Sequence, residues 1–166
     1  KIDFLGEDAI GRKHQVATIQ LDFNQPEGFD LSCVNEQGEK ERIVMIHAAI
    51  MGSIERFLSV LIEHYVGKFP LWLAPMQIAI LPVADRHIAF AKSLQNELLQ
   101  EGFRVEVDDS AESVGKKIRN AEQMKVPIML VVGDKEQQSE TLTVRFHGSN
   151  EQKEMSKLEF VRMGKE

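Results

Sequence analysis

The chain has 166 residues, 43% hydrophobic and 28% charged, which excludes a disordered or fibrous chain and reads as a soluble globular protein of one domain or two small ones. A formal net charge of −6, with 7 basic and 11 acidic residues up to Pro75 and 13 and 15 after it, excludes nucleic-acid binding by bulk attraction, so any RNA contact is local. One cysteine, Cys33, excludes an internal disulfide framework and fits a reducing, cytoplasmic compartment, and the longest apolar run, residues 78–83 with Pro82 inside it, is too short to span a membrane.

Residues 1–7 and 14–23 read as strands separated by a turn at Gly11. In the second strand, alternation places Val16, Thr18 and Gln20 on one face and Ala17, Ile19 and Leu21 on the other. Pro26 breaks the pattern, residues 31–34 read as a short strand, and 35–42 as a polar turn with Gly38 at its tip. Residues 43–50 form an apolar strand interrupted by His47. Ser53 then has the character of an N-cap for a helix over 53–65, because Ile54, Phe57, Leu58, Leu61, Ile62 and Tyr65 recur at helical spacing. The two-proline connector at 67–75 places a domain boundary between residues 74 and 75. Beyond it, strands at 77–82, 103–107, 127–132 and 141–146 alternate with helices at 85–100, 113–124 and 156–163, which predicts a mixed or parallel sheet covered by helices. Because the sequence opens at Lys1 without methionine and passes directly into strand-like sequence, it reads as a fragment.

Two polar groups stand where burial favours aliphatic side chains: His47 in its apolar strand and Arg56 in the helix after Gly52. Buried polar groups need partners, and a ligand is one way of supplying them. On the residues alone, a histidine in an apolar strand is more often a satisfied core residue. Arg56 equally suits a surface pair with Glu63 on the same helix.

The segments Thr18–Phe23 (Thr-Ile-Gln-Leu-Asp-Phe), Met45-Ile46-His47, Gly52-Ser53-Ile54-Glu55-Arg56-Phe57 and Phe69-Pro70-Leu71-Trp72-Leu73-Ala74-Pro75 resemble, in order and spacing, the threonyl-tRNA synthetases. Gly52 with Arg56 one turn later resembles the third signature motif of class II aminoacyl-tRNA synthetases, and Val131 to Glu136 resembles the anticodon-binding domain that follows. The resemblance implies an α/β (α+β) chain. Residues 1–74 would be the antiparallel-sheet end of a catalytic domain, and 75–166 an anticodon-binding domain with a mixed sheet flanked by helices. It implies activation of threonine by ATP with Mg2+, transfer to tRNA(Thr), and a homodimer when full-length, with no membrane. The fragment alone is expected to be inactive.

The same resemblance gives roles to single residues. Arg56 lies against the nucleotide, where a permanently charged planar fork suits phosphate oxygens. Gln15 faces ATP. Gln20, His47, Ser53 and Lys1 line the threonine pocket, and His47 is one ligand of a Zn2+ ion whose other ligands lie upstream of Lys1. Such a metal suits threonine because amino and hydroxyl groups both bind it, and a site built on that hydroxyl rejects valine. Arg119, Glu136 and Arg145 read the anticodon, since single-stranded loops are read at base edges. Three departures stand against the family pattern: His14 and Val16 replace tryptophan and cysteine around Gln15, Ala48 replaces a basic residue, and Ser110-Ala111 replaces Arg-Asn. Taken by themselves, residues Lys116, Lys117 and Arg119 read as a solvated helix face. Two other readings remain open: a non-catalytic tRNA-binding or regulatory paralogue with a decayed catalytic remnant, and a class II synthetase for proline, glycine or histidine.

Overall fold

A computed structural model of the protein describes residues 1–139, 141–149 and 151–165. Its contacts divide the chain into two units, Lys1–Val66 and Gly67–Glu166.

In the first unit, β1 (Ile2–Glu7) turns at Gly11 into β2 (Lys13–Asp22). A helical turn α1 (Gln25–Gly28), a hairpin of β3 (Ser32–Val34) and β4 (Lys40–Arg42), then β5 (Met45–Ile50) and α2 (Ile54–Tyr65) follow. The main sheet is antiparallel with order β1-β2-β5. The polar turn expected at 35–42 is the tip and second strand of the β3–β4 hairpin; Lys-Glu-Arg carries no apolar alternation to announce a strand. Ser53 sits at the N-cap of α2 as expected, its Oγ facing the Arg56 amide at 3.5 Å. Glu63 pairs with Arg12 across 3.2 Å, tying α2 to the β1–β2 loop, and among the described residues no ion pair joins Glu63 to Arg56.

The strand β2 carries one residue more than plain pairing allows. Ala17 opposes Phe4 and Gln15 opposes Leu5, which leaves Val16 as a bulge. A bulge reverses the alternation on one side of it. Gln15 and Thr18 therefore hydrogen-bond the same Asp3 oxygen, at 2.9 and 2.7 Å, while Val16 lines a hollow with Phe57, Val60 and Leu61 of α2. The expected sharing of a face by Val16, Thr18 and Gln20 is thus corrected: Val16 turns away, and Gln15 joins the other two.

The second unit alternates strand and helix: β6 (Ile78–Pro82), a 3-10 turn Asp85–His87, α3 (Ile88–Gln100), β7 (Val105–Val107), α4 (Val114–Gln123), β8 (Ile128–Val132), α5 (Asp134–Gln138), β9 (Thr141–Phe146), β10 (Gln152–Ser156) and α6 (Lys157–Lys165). The mixed sheet has order β10-β9-β8-β6-β7, with β6 parallel to both β7 and β8 and the remaining pairs antiparallel. Apolar side chains cover both faces, as a central parallel strand requires. Ile78, Ile80, Leu94, Leu98 and Phe160 pack on one side, and Ala79, Leu81, Ala121, Val126 and Met129 on the other. Each fully buried Leu or Ile contributes about 1.5–3 kcal/mol. β10 escaped the sequence reading because its residues are those of an exposed edge, polar and charged instead of alternating. Residues of the 67–75 connector are tied to this second unit: Leu71 packs against its core, Gln77 donates to the Leu71 carbonyl at 2.8 Å, and Arg104 donates to the Ala74 and Trp72 carbonyls at 2.9 and 2.8 Å.

Candidate functional site

Four of the sequence-predicted residues share one face of the first sheet. Asp3 lies opposite Thr18, and beyond Thr18 the period of two carries Gln20 and Asp22 on the same side. Gln20 is paired directly with His47 of β5. The bulge adds Gln15, and Lys1 reaches the same Asp3 oxygen at 3.3 Å. Lys1, Gln15, Gln20 and His47 therefore line one face, with Asp3 as the shared partner of Lys1 and Gln15 at one end and Asp22 beside His47 at the other. The Thr18 hydroxyl, outweighing burial, and then Lys1 hold the Asp3 carboxyl below its ordinary range.

His47 is half-buried, and Asp22 Oδ2 stands 3.0 Å from its Nε2, at ion-pair distance but off the direction of a hydrogen bond. Backbone amides of Gln25 and Asn24 chiefly hold Asp22 ionised, with His47 adding to them. Among the described residues, no three His, Cys, Asp or Glu side chains converge as a metal site. Cys33 is on the β3–β4 hairpin, and the side chains near His47 supply one imidazole and one carboxylate. These residues do not by themselves make a closed zinc site.

The turn between β5 and α2 is fixed by a close approach. Met51 and Gly52 both have positive φ, 68° and 56°. A Cβ on Gly52 would stand 3.0 Å from the backbone oxygen of Gln15. The glycine lets the helix start press onto β2 beside Gln15. Arg56, exposed in the first turn of α2, has its backbone amide at the Ser53 hydroxyl, while Ser53 Oγ donates to Glu55 at 2.7 Å. Among the described residues, no ion pair engages Arg56.

In the second unit, Glu136 is 7% exposed and both carboxylate oxygens are engaged. Oε2 accepts from the Gly133 amide at 2.9 Å and Oε1 from the Thr143 hydroxyl at 2.5 Å. Burial raises the Glu136 carboxyl, but these hydrogen bonds outweigh it and leave the group below its ordinary range. Arg145 follows Thr143 on the same face of β9 and is half-buried, paired in register with Met129 and Gln152. Arg119 lies on the exposed flank of α4.

Two further polar groups, Lys117 and His87, are buried around the carboxyl ends of β6, β7 and β8. Lys117 is 3% exposed, with Nζ donating to the Pro82 and Asp108 carbonyls at 3.2 and 2.9 Å. Its solvated-face reading is corrected by a signal present in the sequence: Val114, Lys117, Ile118 and Ala121 recur at i, i+3, i+4 and i+7, which is the inward stripe of α4. His87 is 1% exposed, its Nε2 lies 2.9 Å from Asp134 Oδ1, and Arg86 grips the same carboxylate at 2.6 and 3.1 Å. Arg86 foremost, then His87, hold the Asp134 carboxyl far below its ordinary range. The start of α5, with Gly133 and Glu136, is thereby clamped to the start of α3.

Among the described residues, no helix is long and apolar enough to cross a membrane. Residues 1–65 match the tRNA synthetase class II core domain (G, H, P, S and T), and residues 77–166 match the anticodon binding domain family. The chain is 51% identical over 160 residues to a threonine–tRNA ligase of Deinococcus radiodurans, covering 96% of this chain and 25% of the relative. It is 51% identical over all of its 166 residues to a threonine–tRNA ligase of a Sulfurihydrogenibium species, covering 26% of that relative. It thus spans about a quarter of the length of the curated relatives it matches. The crystal structure of the RNA binding domain of threonyl-tRNA synthetase from Cryptosporidium parvum superimposes with a TM-score of 0.88 at 36% identity, over 98% of this chain and 42% of that one. With a class II core segment leading into an anticodon binding domain, and this likeness along its whole length, the chain belongs to the threonyl-tRNA synthetase family.

Proposed function

We propose that the parent polypeptide is a threonine–tRNA ligase: it activates threonine with ATP and Mg2+, then passes the threonyl group to tRNA(Thr). The first unit is one wall of the aminoacylation site. Attack on the α-phosphate and loss of pyrophosphate demand held negative charge, and Arg56, unclaimed by any carboxylate among the described residues, supplies a guanidinium for it. Gln15 presents its amide to the nucleotide. Gln20, His47, Ser53 and Lys1 bound the threonine pocket, with Asp3 and Asp22 orienting the side chains that touch substrate. His47 would supply one imidazole to a Zn2+ ion whose remaining ligands come from outside this segment. No side chain here is asked to form a covalent intermediate; positioning and electrostatics carry the chemistry.

The second unit reads the anticodon through Arg119 and Arg145, which can serve bases or phosphates. Glu136 contributes through the turn it holds, because both of its oxygens are already committed within the protein. The parent enzyme is, on this reading, a cytoplasmic homodimer.

The observation that carries the reading is the Val16 bulge, which puts Gln15 on the face already shared by Gln20 and His47. Steady-state kinetics of the purified parent enzyme test it. Gln15→Ala raises KM for ATP more than for threonine, and Gln20→Ala does the reverse. The opposite split, or no change in either constant, contradicts the reading.

A further inference from the structure

We propose that the trough between α4 and the β7 edge of the second unit binds a small aromatic ammonium compound, with Glu106 holding the charge and two methionines the ring. The site uses none of Arg119, Glu136 or Arg145, so it is independent of how the anticodon is read.

The trough originates in side-chain size. On this side of the sheet, Ala121 of α4 faces Ala79 and Leu81 of β6, with Val126 beside them. Two alanines leave unfilled a gap that longer side chains close on the opposite side, where Ile78, Leu94 and Phe160 meet. The helix packs over β6 and β8, which leaves the edge strand β7 uncovered on this face. Glu106 is the β7 residue there, in register with Ala79. The result is a hollow of about 260 Å³ with an apolar floor, flanked by half-buried Met76 and by Met124, which is 66% exposed. A second hollow of about 310 Å³ shares Met76, Glu106, Met124 and Val126 with the first and continues beneath Phe69 and Pro75 of the connector. Joined, they have the dimensions of a small-molecule site, about 300–1,000 Å³.

The polar groups at the mouth select the charge of the ligand. Glu106 lines both hollows, and among the described residues its carboxylate has neither an ion pair nor a hydrogen bond. Asn120, one turn before Met124, lines the first hollow with a side-chain amide that is equally unengaged among the described residues. Asp108 lines the same hollow, and the Lys117 ammonium beside it is turned onto the Pro82 and Asp108 carbonyls. Lys125 stands at the connector end, where its Nζ lies against Gly67. An anion at the mouth would meet Glu106 and Asp108, whereas an ammonium group gains Glu106 and the Asn120 carbonyl oxygen. The body of the ligand follows from the walls. Thioethers make favourable contacts with aromatic ring edges, and their unbranched chains adapt to the shape between them. Met76 and Met124 thus clasp a ring lying over Ala79 and Ala121, and dry apolar hollows accept such rings.

The test uses the parent enzyme labelled with ¹³C at its methionine methyl groups, with the Met76 and Met124 signals identified by replacing each with leucine. The probes are tryptamine and indole-3-propionate, which share a ring and differ in the sign of the charge on the side chain. Tryptamine shifts both methionine signals saturably with Kd of about 1 mM or below, and indole-3-propionate binds about tenfold more weakly or not at all. Glu106→Gln, a substitution on an exposed edge, leaves the melting temperature in place and brings the two probes to within about twofold of each other. Equal wild-type affinity for the two probes, or discrimination undiminished in Glu106→Gln, overturns the proposal. So does a tryptamine titration that leaves Met76 and Met124 unmoved, which would mean that another part of the parent chain occupies the trough.

Discussion

The backbone oxygen of Gln15 stands 3.0 Å from the point a Cβ on Gly52 would occupy, so the helix that carries Arg56 is seated directly on the strand that carries Gln15. Gly52 also has φ of +56°, a conformation that an L side chain adopts only under strain. Gly52→Ala therefore destabilises the first unit by about 1–3 kcal/mol and lifts α2 away from β2. Denaturant midpoints measure the first effect. Threonine-dependent ATP–pyrophosphate exchange in the parent enzyme measures the second, and unchanged exchange would show that the close approach is dispensable.

Arg56→Lys retains the charge and discards the planar fork. Exchange turnover falls on the order of 10²-fold, the loss typical of one preorganised donor at a charge-developing site. Melting temperature stays within the range of an exposed helix substitution, since among the described residues Arg56 makes no ion pair. An equal fall in stability and turnover would move Arg56 from the nucleotide to the scaffold.

Glu136 gives the second unit a dependence on pH with a definite sign. Its folded-state carboxyl lies below the ordinary value, because the Thr143 and Gly133 hydrogen bonds favour the ionised form over the cost of burial. Ionised Glu136 thus stabilises the fold at neutral pH, and that contribution is lost as pH falls from about 4.3 toward the depressed folded-state value. Melting temperature followed from pH 7 to pH 3 drops more steeply for the wild type than for Glu136→Gln. Parallel curves for the two proteins would mean that the turn does not depend on this carboxylate. In the parent enzyme, Glu136→Gln weakens tRNA charging while leaving amino-acid activation intact.

The layout of elements was legible in the sequence wherever period and punctuation agreed. The α2 helix with Ser53 at its cap, the buried runs of β6 and β8, and the alternation that makes the second unit a covered mixed sheet all follow from spacing. The edge elements β4 and β10 were not, because charged and polar edges carry no apolar signature. The bulge at Val16 is invisible to a period-two reading, since it is a pairing event between strands and not a property of one of them. Of the site, Gln20 beside His47 was legible through family spacing. The partners that occupy Glu136 were not, because Gly133 meets it through the turn into α5 and Thr143 through the pairing of β9 with β8. Lys117 was legible in principle from its place on the inward stripe of α4, although its charge led the reading outward.

On the proposed function, the parent polypeptide uses this wall to activate threonine. The most direct measurement is ATP–pyrophosphate exchange by the purified parent enzyme, wild type and His47→Ala, with threonine, serine and valine supplied in turn, alongside the zinc content of each protein. Exchange with threonine far above valine, about one zinc per wild-type chain, and loss of both on replacing His47 are the expected results. A wild-type enzyme without threonine-dependent exchange, or a His47→Ala variant that keeps it in full, contradicts the account.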